Sequence, residues 1–201
     1  MIYLDALTAD DAEQVRIWRN QNPEGARTPY LLNWEMQADW YEREVCNRDS
    51  KHRYWAVRQS VTEEERRGIE INRPTSGMRF TEEDVRRQRV WLNNEDWFVG
   101  ISGLTNIEWE NSRAEIALMV DPSRRGKGIG REALRETLKW GFERMGLRWI
   151  HGLCYHCNGS LSFWRKVADE WAYYTEERPN QKLWDGAVHD AFYFDIEAWE
   201  A

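Results

Sequence analysis

The chain has 201 residues, of which 41% are hydrophobic, and this is enough for one domain with a sizeable core. Charged residues make up 31% and the formal net charge is −7, a balance that argues against general nucleic-acid binding. No run of about 18 apolar residues predicts a membrane span, and the acidic start MIYLDALTADDAE does not resemble a signal peptide. Three cysteines are too few for a disulfide framework, which agrees with a reducing compartment. From these features together we expect a cytoplasmic protein without membrane or nucleic-acid partners.

The N-terminal part alternates between strand and helix patterns. Residues 2–7 alternate apolar and polar side chains, which predicts a first strand. A capping box opens a helix that runs from Thr8 to about Arg19. After a stretch with several helix breakers, Asn33 can cap a second helix from Trp34 to about Asn47.

An insertion separates the next two strand patterns. Residues 54–58 and 97–104 read as strands, and about 59–96 between them is rich in Glu and Arg. Within it, the stretch from Thr81 to about Leu92 predicts a capped helix. The insertion could be a flap over an acceptor cleft, a dimerisation element or a mobile excursion.

The stretch from Ala114 to Arg131, AEIALMVDPSRRGKGIGR, predicts a strand, a glycine loop and a helix in that order. Glycines let the backbone adopt positive φ and let a ligand approach closely. The free N–H groups and the dipole of the following helix favour an anion, and basic side chains surround the same place. The loop therefore predicts a polyphosphate ligand.

Two familiar phosphate loops fit this stretch poorly. A Walker loop requires G-x-x-x-x-G-K-[ST], and no such run occurs. Residues 128–133 match G-x-G-x-x-A, but the next strand, about Arg148 to Cys154, does not end in the acid that a dinucleotide site uses for the ribose.

A third pattern fits better. Arg125 to Gly130 resembles the [RQ]-x-x-G-x-[GA] pyrophosphate loop of the GNAT superfamily of acyl-CoA-dependent N-acyltransferases. The strand before the loop, the helix after it, the strand RWIHGLC and the short helix opened by Asn158 follow that family's order. The tail WDGAVHDAFYFDIEAW resembles the branch with ribosomal-protein N-terminal and amino-sugar acetyltransferases.

The resemblance implies an α/β (α+β) fold, with a mixed, mostly antiparallel sheet of six to seven strands flanked by helices. The whole chain, 1–201, would form one such domain with the insertion at about 59–96. The implied function is acetyl transfer from acetyl-CoA, as co-substrate, to a primary amine of a small molecule or peptide, with no metal. A catalytically weak or silent acyl-CoA-binding sensor remains the alternative, and a homodimer is left open.

The resemblance also assigns site residues. The candidate substrate contacts are Arg19, Arg27, Tyr30, Trp34 and Trp40, although packing or structural ion pairs would explain them as well. The candidate cofactor contacts are Leu118, Met119, Val120, Arg125, Gly126, Lys127, Gly128, Ile129, Gly130, Arg131, Asn158 and Trp164.

The catalytic assignments are less direct. Glu115 is the first candidate for general base and Glu108 the second, because a carboxylate in an apolar strand can have a raised pKa. The family commonly places a Tyr acid in the helix after the fifth strand, but Trp164 stands there, and Trp cannot act as an acid. Tyr155, Tyr173 or Tyr174 could supply the hydroxyl, or water could.

The segment from His151 to Cys157 contains two His and two Cys residues. In a strand, His151 and Cys157 would face one side while Cys154 and His156 face the other. The four could not share one tetrahedral ion, so we expect no metal site here.

Overall fold

The computed structural model describes residues 1–28, 30–62, 64–65 and 96–198. In these residues seven strands form one mixed sheet with helices on both faces. The strands are β1 (Ile2–Ala6), β2 (Arg53–Gln59), β3 (Trp97–Glu108), β4 (Arg113–Val120), β5 (Trp149–Tyr155), β6 (Tyr174–Trp184) and β7 (Ala187–Glu197).

Four α-helices accompany these strands in the described residues. They are α1 (Ala9–Asn20), α2 (Trp34–Trp40), α3 (Ile129–Lys139) and α4 (Leu161–Trp171). Two of them continue as π-helical turns, α2 over Tyr41–Val45 and α3 over Trp140–Arg144. Short 3₁₀ turns cover Pro23–Gly25, Trp109–Asn111 and Pro122–Arg124. No helix in the described part of the chain is both long and apolar enough to cross a membrane.

The sheet has the order β1-β2-β3-β4-β5-β7-β6. Adjacent strands are antiparallel except β4 and β5, which run parallel. That parallel pair is short, because it joins only Arg113–Glu115 to residues 149–151. Beyond this point β4 and β5 diverge, and the sheet opens into a splay.

The two faces of the sheet have separate cores. On one face, Leu134 and Leu138 of α3 pack with Leu104 and Ile150 of the sheet, and all four are fully buried. On the other face, Trp18 of α1 packs in a cluster around β2 and β3. Because side chains alternate along a strand, β4 contributes to both faces. Its Leu118 and Val120 pack with the start of α3, and Met119 packs with α1.

These elements confirm the predicted fold class, but two boundaries were wrong. We expected the helix after β5 at 158–168, and it spans 161–171 instead. Asn158 forms a turn there: its N–H donates to the Tyr155 carbonyl at 2.9 Å, and its side chain accepts the Ser160 N–H at 2.8 Å. Trp171 stays in the helix because its side chain packs against the core.

The strand expected near 171–177 is also longer and lies further along the chain. It is β6, which extends to Trp184 despite its polar sequence, because it pairs with β7 in a hairpin. The connecting residues Asp185 and Gly186 have φ of 48° and 73°. An Asp-Gly pair with two positive φ angles suits a tight hairpin turn.

Most of the predicted insertion at about 59–96, including the helix expected from Thr81 to Leu92, lies outside the described residues. Its role as flap, dimerisation element or excursion stays a prediction.

Candidate functional site

The loop between β4 and α3 leaves open space beside its backbone. Asp121, buried after the end of β4, shapes the turn by accepting the N–H of Ser123 at 2.9 Å and its hydroxyl at 2.7 Å. Gly126 and Gly128 then adopt φ of 77° and 81°. A Cβ built on either would meet no atom of the described residues within 4 Å. The loop thus has the conformation and the space for a close ligand.

The first turn of α3 adds the means to bind an anion. Gly128 occupies the N-cap position, so no side chain caps the helix. The first N–H groups of a helix lack intrahelical acceptors, and the positive end of the helix dipole lies beside them. This is the arrangement that binds phosphate groups in many proteins.

The basic residues near the loop differ in what they contact. Arg124 lies 4.9 Å from the centre of the Trp97 ring. Arg125 donates to Asn22 at 3.2 Å, while Arg131 forms an ion pair with Glu170. Lys127 is exposed and is not among the residues that line the cavity beside the loop.

This cavity has a volume of about 650 Å³ and occupies the splay between β4 and β5. The size is typical of a small-molecule site, which spans roughly 300–1,000 Å³. Because β4 has lost its partner there, its backbone can contact a ligand. The lining includes most predicted cofactor contacts, namely Leu118, Met119, Val120, Arg125, Gly126, Gly128, Ile129, Gly130, Arg131, Asn158 and Trp164, together with Arg27 of the predicted substrate contacts.

Residues 22–28, which we call the cavity-wall segment, bridge the splay. On the β4 side, Arg27 forms an ion pair with Glu115. On the other side, the ammonium of Lys182 in β6 donates to two backbone carbonyls of the segment at 2.5 and 2.6 Å. Gly25 lies so close to Asn158 that an added Cβ would stand 2.9 Å from its Nδ2 atom. The segment is therefore held from both sides of the opening.

Glu115 lies at the base of the splay and is 8% exposed. One carboxylate oxygen contacts Arg27 and the other accepts the side-chain N–H of Asn106 at 3.0 Å. The ion-pair partner of Glu115 is Arg27 and not the neighbouring Arg113, which pairs with Asp195. Glu115 does not line the cavity itself, and Arg27 stands between the two.

His151 was treated as an ordinary histidine, and the structure places it directly beside Glu115 in the parallel register. Its Nδ1 atom is buried without a hydrogen-bond partner in the described residues. Burial lowers its pKa from the ordinary 6.5, although Glu115 acts in the opposite direction. The imidazole is therefore neutral at pH 7 and can accept a proton. The sequence carries no signal for this pairing.

The aromatic candidates fall into two groups. Trp164 lines the cavity and stacks on Phe194 with a centroid distance of 5.3 Å. Tyr155 lies at the end of β5, with the Lys182 ammonium 4.9 Å from its ring centre, and does not line the cavity. Trp40 is half-buried against Tyr54 and does not line the cavity either. The other candidates are exposed outside the lining: Tyr173 is 69%, Trp34 61%, Tyr30 56% and Tyr174 46% exposed.

The four His and Cys residues at the end of β5 have separate surroundings. His156 contacts Glu177 at 2.7 Å, and the Cys157 thiol donates to the Glu24 carbonyl at 3.5 Å. Cys154 is buried, which raises its pKa to about 12. The described residues contain no group of three or more His, Cys, Asp or Glu side chains arranged to hold a metal ion.

Comparisons with known proteins agree with this geometry. The family model of the acetyltransferase (GNAT) domain matches residues 2–161. A structure of spermidine N-acetyltransferase from Vibrio cholerae with CoA and spermine is 15% identical, with a TM-score of 0.70 over 98% of this chain and 95% of that chain. A dodecameric structure of that enzyme, also 15% identical, gives 0.66 over 98% and 93%.

At this identity the solved structures establish the shared fold alone, and no curated protein sequence matches the chain significantly. The family match covers well over half of the 201 residues. The chain therefore belongs to the GNAT family of acetyltransferases, and is an N-acetyltransferase with acetyl-CoA as its co-substrate.

Proposed function

We propose that the protein acetylates a primary amine of a small molecule or peptide, and that the amine attacks the thioester directly. The observation that carries this proposal is the single cavity that joins the anion-binding loop to Arg19 and Arg27. A phosphate-bearing ligand and an amine can then meet in one cavity, which supplies the proximity that such a reaction needs.

The residues that bind the co-substrate divide by chemistry. The N–H groups around Gly128 and the side chain of Arg125 would hold the pyrophosphate. Asn158 and Trp164 would line the path of the pantetheine. The unpaired backbone of residues 118–120 would donate an N–H to the thioester carbonyl, where negative charge develops during attack.

Two neighbouring groups can accept the amine proton. Glu115 and His151 lie side by side at the base of the splay, and we assign Glu115 as the base, acting through water past Arg27. Such proton transfer typically contributes about 10²- to 10⁴-fold in rate. Neither Tyr155 nor Tyr173 lines the cavity. Tyr155 is our candidate to protonate the thiolate, because it is half-buried and its carbonyl accepts the N–H of the lining residue Asn158, whereas Tyr173 is exposed.

An acceptor screen with purified full-length protein tests the proposal. The amines would include a polyamine, since the similar Vibrio cholerae enzyme is a spermidine acetyltransferase, together with amino sugars, amino acids and peptides. Release of free CoA and mass spectrometry of the product report acetylation. Glu115→Gln should reduce kcat by about 10²-fold or more. The matched variant Glu110→Gln, on an exposed turn, should not.

Thermal stabilisation by acetyl-CoA and turnover of an amine, measured on the same protein, separate the two candidate functions. Stabilisation together with turnover of some amine supports the enzyme. Stabilisation without turnover of any amine would favour the silent sensor. The observation behind this alternative is that Trp164, which has no hydroxyl, stands where the family commonly has a Tyr acid. The homodimer stays a prediction that the mass of the protein in solution would test.

A further inference from the structure

Arg19, in the last turn of α1, is a half-buried cation without an acidic partner among the described residues. Its guanidinium lines the cavity and contacts the hydroxyl of Thr28 in the cavity-wall segment. No carboxylate of the described residues lies within ion-pair distance of it. A guanidinium has five N–H donors, so most of them remain available to a ligand.

The surroundings of Arg19 do not compensate its charge. Burial lowers the pKa of the guanidinium from its ordinary value, and the opposing influences come only from the hydroxyls of Tyr30 and Tyr54. Arginine nevertheless keeps its proton in proteins. Removing part of a charge from water without an ionic partner is unfavourable, and an anion in the cavity would offset that cost.

Other charges at this end of the cavity have the same sign or are neutralised. Arg27 is paired with Glu115, so the two together contribute no net charge. Lys182 is 9% exposed and donates to backbone carbonyls of the cavity-wall segment, not to a carboxylate. Glu170 is the acidic residue of the lining, and it is already paired with Arg131.

The position of Arg19 separates it from the loop that would bind the co-substrate phosphates. Arg19 belongs to α1, which packs on the face of the sheet that Met119 contacts. The glycine loop begins α3, on the face that Leu118 and Val120 contact. The phosphates have their own cations in Arg125 and Lys166, which also line the cavity. Arg19 is therefore placed to act on the acceptor.

Resting on the proposed function, we infer that the acceptor amine carries an anionic group, a carboxylate or a phosphate, that pairs with the Arg19 guanidinium. The planar fork of arginine matches both groups and can bind either with two hydrogen bonds. A polyamine presents a second ammonium where the described residues offer cations, so repulsion would weaken its binding. The site would therefore discriminate by charge against polyamines.

Matched pairs of acceptors test this inference in the full-length protein. One pair is an amino acid and its amide, a second is glucosamine 6-phosphate and glucosamine, and spermidine is the cationic arm. We expect kcat/KM to be higher for the anionic member of at least one pair and lowest for spermidine. The pair with the larger difference distinguishes carboxylate from phosphate.

Variants assign the preference to Arg19. Arg19→Gln should lower the ratio of kcat/KM for the anionic to the neutral acceptor by about ten- to a hundredfold, because a hydrogen bond to a charged group is lost. Arg19→Lys keeps the charge without the fork and should restore part of the ratio. Arg43→Gln removes an exposed arginine paired with Asp39 outside the cavity, and should leave the ratio unchanged.

Three results would overturn the inference, and they differ in what they imply. Preference for spermidine that Arg19→Gln does not alter would refute the anionic acceptor and leave the proposed function standing. Weaker binding of acetyl-CoA by Arg19→Gln, with an unchanged acceptor ratio, would assign Arg19 to the co-substrate phosphates. No acetylation of any amine, with acetyl-CoA bound, would remove both proposals.

Discussion

Replacing Gly128 by alanine should separate ligand binding from folding at the glycine loop. The residue has φ of 81°, and its missing side chain faces open space, so alanine meets backbone strain but no clash within the protein. The strain costs about 1–2 kcal/mol for an L-residue in the left-handed region. The new Cβ also enters the space where a phosphate would contact the first N–H groups of α3.

The chain contains a matched control for the strain. Gly146 has φ of 69°, an added Cβ there would also meet no atom of the described residues within 4 Å, and it does not line the cavity. In a domain of this size 1 kcal/mol corresponds to about 2–4 °C in Tm. Gly128→Ala and Gly146→Ala should therefore both lower the Tm of the free protein, by about 2–8 °C.

Acetyl-CoA then distinguishes the two variants. At a hundred times its Kd, a ligand that binds only the native state adds about 2.7 kcal/mol, or roughly 5–11 °C in Tm. Gly146→Ala should keep this rise in a thermal unfolding assay, and Gly128→Ala should lose most of it. An equal rise in both variants would refute the assignment of the loop as the phosphate site.

Three further predictions concern the core, pH and the cavity-wall segment. In Gly152→Ala, the added Cβ would overlap the fully buried ring of Phe194, so the free energy of unfolding in urea should fall by about 1–3 kcal/mol; an unchanged value would contradict the packing. Since burial lowers the pKa of His151 below 6.5, the unfolded state binds more protons at acid pH, and this group's contribution to stability is lost as pH falls below 6.5. His151→Gln should therefore lose less stability than the wild type between about pH 7.5 and pH 5.5, and equal losses would argue against a neutral buried imidazole. Lys182→Met removes both hydrogen bonds to the segment's carbonyls, so amide hydrogen exchange in residues 22–28 should become faster and the KM of the acceptor should rise, whereas unchanged exchange would show that the segment is held by other contacts.

Much of the fold could be predicted because its signals are local. The capping box of α1 and the succession of β4, glycine loop and α3 depend on residues close together in sequence, and the structure contains both. The strand expected near 171–177 was misplaced because a non-local contact decides its bounds. β6 is polar along its length and is a strand because β7 pairs with it.

The candidate site divides in the same way. The residues of the loop, and Asn158 and Trp164 after β5, follow from spacing within a family pattern, and the structure brings all of them except Lys127 to one cavity. Tyr30, Trp34 and Tyr173 were chosen by residue type and approximate position, and the structure leaves them exposed outside its lining. Residue type alone does not determine which side of an element faces the cavity.

The sequence by itself indicated a glycine loop between a strand and a helix, and with it the family to which the chain belongs. Only the tertiary structure decided that Arg27 pairs with Glu115 and that His151 lies beside it. It also decided that no carboxylate of the described part of the chain pairs with Arg19. The physical reason is distance along the chain. A glycine loop is defined by the backbone angles of consecutive residues. The side chains around Glu115, in contrast, meet through the register of the parallel strands and the path of residues 22–28 across the splay. Both depend on the packing of the whole sheet.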